Sequence, residues 1–152
     1  MRLVRAREVQ VLTGLSADQL REWTGRRGLV SPDVPARGKG TQARFSWQTV
    51  LVLRLAVVLK QKFHVELQAQ REFFAWLQRE LAGRSFPALW QLVVVLHAPG
   101  QWELSDMEGV RLSSDESFMA LPFAPHLRTL SVEFGLAEPV RQLPLFAVVK
   151  VQ

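Results

Sequence analysis

The chain has no cysteine among its 152 residues. A disulfide framework, thiolate zinc sites, thiol redox sensing and a cysteine nucleophile are thereby excluded. Histidine is scarce: His64, His97 and His126 are scattered and share no metal-ligand spacing. Long apolar runs are also missing. Residues 92–96 make a run of five, and residues 50–59 are interrupted by Arg54, whereas a membrane span needs about 18. The opening MRLVRAREVQ is charged every two or three residues, so no secretory leader is expected. These absences predict a soluble, cytoplasmic protein with no membrane partner.

What is present argues for a packed core. The chain is 48% hydrophobic and 22% charged, the balance of a globular protein, and its length suits one domain or two small ones. The net charge of +5 is unevenly spread. Residues 1–62 hold twelve Arg/Lys against four Asp/Glu, whereas residues 63–152 hold seven against ten. A basic half joined to a mildly acidic half suggests two modules, the first facing a polyanion, with nucleic acid the leading candidate. A merely solvated basic surface is the plainer alternative.

The basic half reads as helices separated by turns. Residues 7–13 place Val9 and Leu12 three apart, and Gly14 stops the helix. Ser16 is a good N-cap, and Gln19 three residues on completes a capping box. Leu20 and Trp23 share one face, which predicts that Trp23 is buried. The other face shows Gln19, Arg21, Glu22 and Arg26, and Gly25 and Gly28 close the helix. So short a connection has the spacing of a helix-turn-helix, whose second helix can enter a major groove.

Residues 31–45 cannot be helical, because Pro32, Pro35, Gly38 and Gly40 interrupt them. With Arg37, Lys39 and Arg44, this stretch is expected to form a wing, a β-hairpin reaching the backbone beside the groove; an ordinary surface loop is the alternative. RGKG is too short for a phosphate-binding P-loop. Ser46 then caps a helix over residues 47–60 that is apolar nearly all round and therefore buried, with Trp47 near Val50 and Leu51. Residues 63–65 break the chain, and residues 66–81 form another helix before Gly83. Its Leu67, Gln70, Phe74, Leu77 and Leu81 suit either a short dimer seam or internal packing.

The segments VQVLTGLSADQLREW, GLVSP and ARFSWQTVLVLRLAVVLKQKFHVEL, in this order, resemble the winged helix-turn-helix of the mercury-resistance regulator (MerR) family. The resemblance covers about residues 5–81. In that family the recognition helix starts at a Ser like Ser16, and Leu20, Arg21 and Trp23 match in part its Leu-Arg followed by aromatics. Gly28-Leu29 with Ser31-Pro32 matches the turn into the wing. Arg44-Phe45-Ser46 matches its Arg-Tyr-Ser end, and Phe63 matches the aromatic between the third and fourth helices. The resemblance implies double-stranded promoter DNA as partner, a homodimer, transcription regulation and an unidentified small-molecule effector. Glu22 departs from the pattern, standing where an aromatic is usual. Residues 20–28 are one longer than the common form. Nothing after Gly83 has the heptad pattern of the family's long dimerisation helix, and the cysteines of its metal sensors are missing.

The second half reads as short strands between turn signals: residues 89–97, 101–105, 109–113, 118–123, 127–134 and 145–151. The expected fold class is α+β, a helical winged helix-turn-helix over residues 1–82 followed by a small β-rich unit over residues 83–152. That unit, of dimerisation or effector role, would have a marginal core alone, so it should pack on the first module or on a second subunit. Fragment 1–82 is expected to fold, and to associate poorly if the β-rich unit provides the dimer contacts.

Chemistry in this half is thin. His97, Glu103, Asp106 and His126 match no ligand motif and read as ordinary polar residues. Ser113, Ser114, Asp115 and His126 lack the Gly-x-Ser-x-Gly signature. Trp90 and Trp102 suit either an apolar ligand pocket or simple core. No catalytic residue, metal or cofactor is expected, and no enzyme. The DNA-reading expectation rests on Ser16, Gln19, Arg21 and Arg26 of the recognition helix, with Arg can-pair-guanine and Gln-adenine chemistry, and on Arg37, Lys39 and Arg44 for phosphates. The alternative is a winged-helix protein-interaction adaptor without DNA readout, which would more often show an apolar patch on that surface.

Overall fold

The computed structural model describes residues 2–112 and 116–140 and is a mixed helix-and-sheet, α+β fold. Strand β1 (Val4–Arg5) leads directly into α1 (Ala6–Thr13), which ends at Gly14 in the left-handed conformation, φ 76°. Such a turn costs a glycine little, because it has no Cβ. Helix α2 (Ala17–Arg21) continues as a π turn over Glu22–Arg26. Strand β2 (Arg44–Phe45) pairs antiparallel with β1, Val4 opposite Phe45. Next come α3 (Trp47–Gln61) and, after a 3-10 turn, α4 (Arg71–Ala82).

Two expectations for the basic half are modified. The helix placed at residues 66–81 begins later, at Arg71, after the 3-10 turn Gln68–Gln70. The arms of the loop over residues 31–45 meet at a single antiparallel bridge, Val34 to Arg44, rather than as a two-stranded hairpin. The returning arm gives its pairing to β1 instead.

In the C-terminal part, β3 (Leu92–Ala98) is the central strand of a three-stranded antiparallel sheet. Its neighbours are β4 (Gln101–Asp106) and β5 (Met119–Pro122). Val94 lies opposite both Leu104 and Leu121. Two segments expected as strands are helical: α5 (Met107–Leu112) and α6 (Ala124–Phe134). The part after residue 82 is therefore not simply β-rich. In α5, the Asp106 carboxylate accepts from the Gly109 amide at 2.6 Å and satisfies a first-turn donor. In α6, Pro125 sits in the first turn and Gly135 closes the helix at φ 63°, the usual placing of these residues. Leu127, Leu130 and Phe134 are three and four apart and buried together, which a strand could not arrange. Residues 113–115 and 145–151, the latter expected as a strand, lie outside the described residues.

One core runs through both halves. Helix α3 is its centre, packed against α1, α4 and α6, with Val50, Leu51, Val52, Leu53, Leu55 and Leu59 buried. Trp23 and Trp47 are buried as expected, at 3% and 6% exposed. Phe123, Leu127, Leu130 and Phe134 belong to the same core as Val9 and Leu51. A boundary near residue 82 would cut this core. Of the residues offered as a dimer seam, Leu67, Phe74, Leu77 and Leu81 are fully buried within the chain and Gln70 is half-buried. Val93 and Val95, on the other side of the sheet, pack with Val110 of α5 and with Phe118.

One charged side chain interrupts the middle of the apolar helix. Arg54 donates to the carbonyl of Leu12 and, through Nε, to Nδ1 of His126 at 3.1 Å. Burial, and secondarily the Arg54 charge, push the His126 pKa down to about 4.

Three outcomes follow from this packing. Leu127→Ala should destabilise the chain by about 2–5 kcal/mol. Urea unfolding followed by circular dichroism and by tryptophan fluorescence should give one coincident transition; separate transitions would show that residues 83–140 melt alone. Because His126 resists protonation in the folded state, the unfolded chain binds its proton first. Stability should be full above about pH 6.5 and fall as pH drops towards 4, beyond what a His126→Asn chain shows in the same titration.

Candidate nucleic-acid interface

The local sequence around α2 fixes how its side chains are presented. The Ser16 hydroxyl accepts from the Gln19 amide at 3.1 Å, and Gln19 Oε1 accepts from the Ser16 amide at 3.0 Å. The capping box is thus closed on both sides, satisfying two donors that a helix start leaves open. Leu20 and Trp23 anchor the inner face in the core. Ser16, Gln19, Arg21 and Arg26 remain on the exposed side. Ser16 and one oxygen of Gln19 are engaged in the cap, so Gln19 keeps its amide NH2 for an outside acceptor.

The π turn shapes the rest of the face. The Arg27 amide donates to the Glu22 carbonyl five residues back, at 2.8 Å. Such a turn closes over one residue more than an α-helical turn. Arg21 and Arg26 consequently line one shallow depression, together with Asp18, Glu22 and Gly25. Both acids there are partnered: Asp18 with Arg21 at 3.7 Å and Glu22 with Arg27 at 3.0 Å. The Arg21 side chain is 78% exposed. An ion pair that open is worth little, so the guanidinium is free to turn to another partner.

Arg21 also borders a second concavity, a groove of about 460 Å³ between the helix pair and the returning arm of the loop. Its lining includes Arg7, Gln10, Thr24, Thr41 and Gln42, with Phe45 beneath. Arg7 and Gln10, three apart on α1, were not among the expected site residues. The signal was present, because residues three apart on a helix share a face, but the groove-entering role was given to the second helix alone.

The loop is pinned at its base and exposed at its tip. Gln78 of α4 holds Ser31 through both backbone groups, at 3.1 and 3.0 Å. Asp33 accepts from the Ser46 amide at 2.6 Å. At the tip, Thr41 accepts from the Arg37 amide at 2.6 Å and donates to the Gly38 carbonyl at 2.9 Å. Arg37 and Lys39 are exposed there, while Arg44 is half-buried in β2. None of these three is among the residues that line the groove, whereas the loop residues Thr41, Gln42 and Ala43 are. The structure therefore joins Arg21 with Arg26, and Arg21 with Arg7, but leaves Arg37 and Lys39 as separate outlying charges.

Among the described residues, the polar side chains singled out in the second half do not assemble. His97 faces Glu103 at 3.2 Å, and His126 faces Arg54. Among the described residues no group of three or more His, Asp or Glu side chains is placed to hold a metal ion, and no helix is long and apolar enough to cross a membrane. Trp102 packs with Phe73 and Trp76, and Trp90 with Phe86. No protein-family model matches the chain, and no curated protein matches it.

The two roles open to Ser16 are separable. Ser16→Ala should cost about 1 kcal/mol of stability through the lost cap, whereas Ser16→Asp should keep the cap. Thermal unfolding of the two variants reads this directly. Equal stability of Ser16→Ala and the parent chain would show that the hydroxyl does not hold α2.

Proposed function

We propose that this chain is a MerR-like transcriptional regulator that binds double-stranded promoter DNA through a winged helix-turn-helix, as a cytoplasmic homodimer. The observation that carries the proposal is the placing of Arg21. It stands exposed on a helix capped at both partners of its box, between the Arg26 depression and the groove that faces the loop. In this reading α2 lies in the major groove. Arg21 and Arg26 reach guanine edges and the free NH2 of Gln19 an acceptor on a base. Arg37 and Lys39 at the loop tip neutralise phosphates on the flank and set register, as does Arg44 more weakly from its half-buried site. Arg7 joins them from α1.

The surplus of eight positive charges in residues 1–62 supports a polyanionic partner. The single-bridge loop serves as the wing in this proposal, its stiffness coming from Gln78 and Asp33 rather than from a paired strand. The internal burial of Leu67, Phe74, Leu77 and Leu81 leaves the homodimer to be made elsewhere than on α4's inner face.

Arg21→Ala and Lys39→Ala should fail differently. With a preferred duplex first selected from random sequence, Arg21→Ala should cost about 1–3 kcal/mol on that duplex and reduce the preference for it. Lys39→Ala should weaken all duplexes alike and lower the salt slope by about one unit. Titrations at several salt concentrations measure both. Unchanged binding by both variants would remove this surface as a DNA reader and favour a protein-interaction adaptor.

A further inference from the structure

We infer that Arg54 and His126 are positioning residues, the link through which the C-terminal elements set the placing of the helix pair α1–α2. The last step of this inference, its effect on DNA, rests on the function proposed above; the link itself does not.

Arg54 is chemically out of place. It sits in the middle of a helix whose neighbours Leu53 and Leu55 are fully buried, and it is half-buried, which lowers its pKa. A buried charge is costly unless its donors are satisfied. Among the described residues no carboxylate pairs with it, and its recorded acceptors are neutral: the Leu12 carbonyl of α1 and Nδ1 of His126 on α6. An apolar residue in this place would often be as stable. What the guanidinium adds is direction, because its rigid fork reaches two different helices at once.

Both ends of the link are placed to matter. Leu12 is in the last turn of α1, two residues before Gly14, where the chain turns towards α2. That last turn has no basic residue of its own, so Arg54 supplies the cation that favours a helix C-terminus. His126 lies in the first turn of α6, whose Leu127 and Leu130 are locked in the shared core. To accept from Arg54, Nδ1 must be unprotonated and the ring neutral, with its proton on Nε2.

A second clasp stands at the opposite end of the same helices. Arg2 pairs with Glu133 of α6 at 3.0 Å and with Glu8 of α1 at 3.5 Å. Helix α6 is thus tied to the start of α1 through Arg2 and to its end through Arg54. The Arg2 pairs are exposed and individually weak, so the half-buried Arg54 contact is the stronger tie between α6 and α1, and α1 carries the turn that aims Arg21. An effector or partner acting on the sheet or α6 therefore has a physical route to the candidate interface.

The test uses the full chain with His126→Leu, which removes the acceptor, His126→Asn, whose side-chain oxygen stands near the place of Nδ1, and Arg54→Lys, which keeps the charge without the fork. Hydrogen exchange is read at the Gly14 amide, which bonds Gln10 at 2.8 Å, with the amides of α4 as control. His126→Leu and Arg54→Lys should speed exchange at Gly14 roughly tenfold relative to α4, while His126→Asn stays near the parent. Equal acceleration in α4, or none at Gly14, overturns the link. The parent's imidazole nitrogen spectrum at pH 7 gives a check that needs no variant: Nε2–H supports the link, and Nδ1–H overturns it. Duplex affinity separates the two proposals. A parent chain that binds no duplex, yet shows the exchange coupling, overturns the DNA function and leaves the link standing. Coupling with unchanged duplex affinity in Arg54→Lys overturns only the effect on DNA.

Discussion

A helix that is apolar around most of its circumference has to be surrounded, and α3 imposes that requirement on the whole chain. Burying a single leucine or valine is worth about 1.5–3 kcal/mol, and α3 carries Val50, Leu51, Val52, Leu53, Leu55 and Leu59 on several sides. Helices α1, α4 and α6 each cover one side of it. The basic half cannot close that shell by itself, because Leu127, Leu130 and Phe134 come from the other half. The charge asymmetry that divides the chain in sequence therefore does not divide its core.

The exposed chemistry is arranged on this buried support. Helix α2 is short, and its face is held by the Ser16–Gln19 box at one end and by Trp23 in the core at the other. The loop over residues 31–45 has little strand pairing, so side chains hold its base: Gln78 of α4 at Ser31, and the loop's own Asp33 at Ser46. Its charged tip is left in solvent. In the function proposed above, charges on these projecting segments would meet a large, evenly charged partner.

The places where pattern misled share a physical cause. In residues 127–134, polar and apolar residues alternate often enough to suggest a strand, yet Leu127, Leu130 and Phe134 also fit a helix. Pro125 and Gly135 were the deciding signals, and they mark the start and stop of α6. Around Gly109 the same ambiguity was settled by Asp106, whose carboxylate caps the turn. For the interface, Arg21 and its neighbours on α2 were legible from the cap and the Leu20–Trp23 spacing. Arg7 shared a helix face with Gln10 in the sequence, but that this face lines a groove depends on how closely the loop approaches α1.

Local order was thus determined by the sequence alone: the caps at Ser16 and Ser46, the stop at Gly14, the burial of Trp23 and Trp47, and the three strands of the sheet. The caps and the stop depend on residues within a turn of one another, where steric and hydrogen-bonding preferences act without help from the rest of the chain; the two tryptophans and the strands are marked by local apolar spacing. Tertiary structure alone decided which groups meet across long separations. It brought α6 onto α3, the returning arm of the loop onto β1, and Arg54 between Leu12 and His126. No local signal marks Arg54 as a link, because in sequence it is one cation in an apolar helix. Its partners are assigned by the packing of three helices, and only that packing makes a neutral His126 the acceptor it requires.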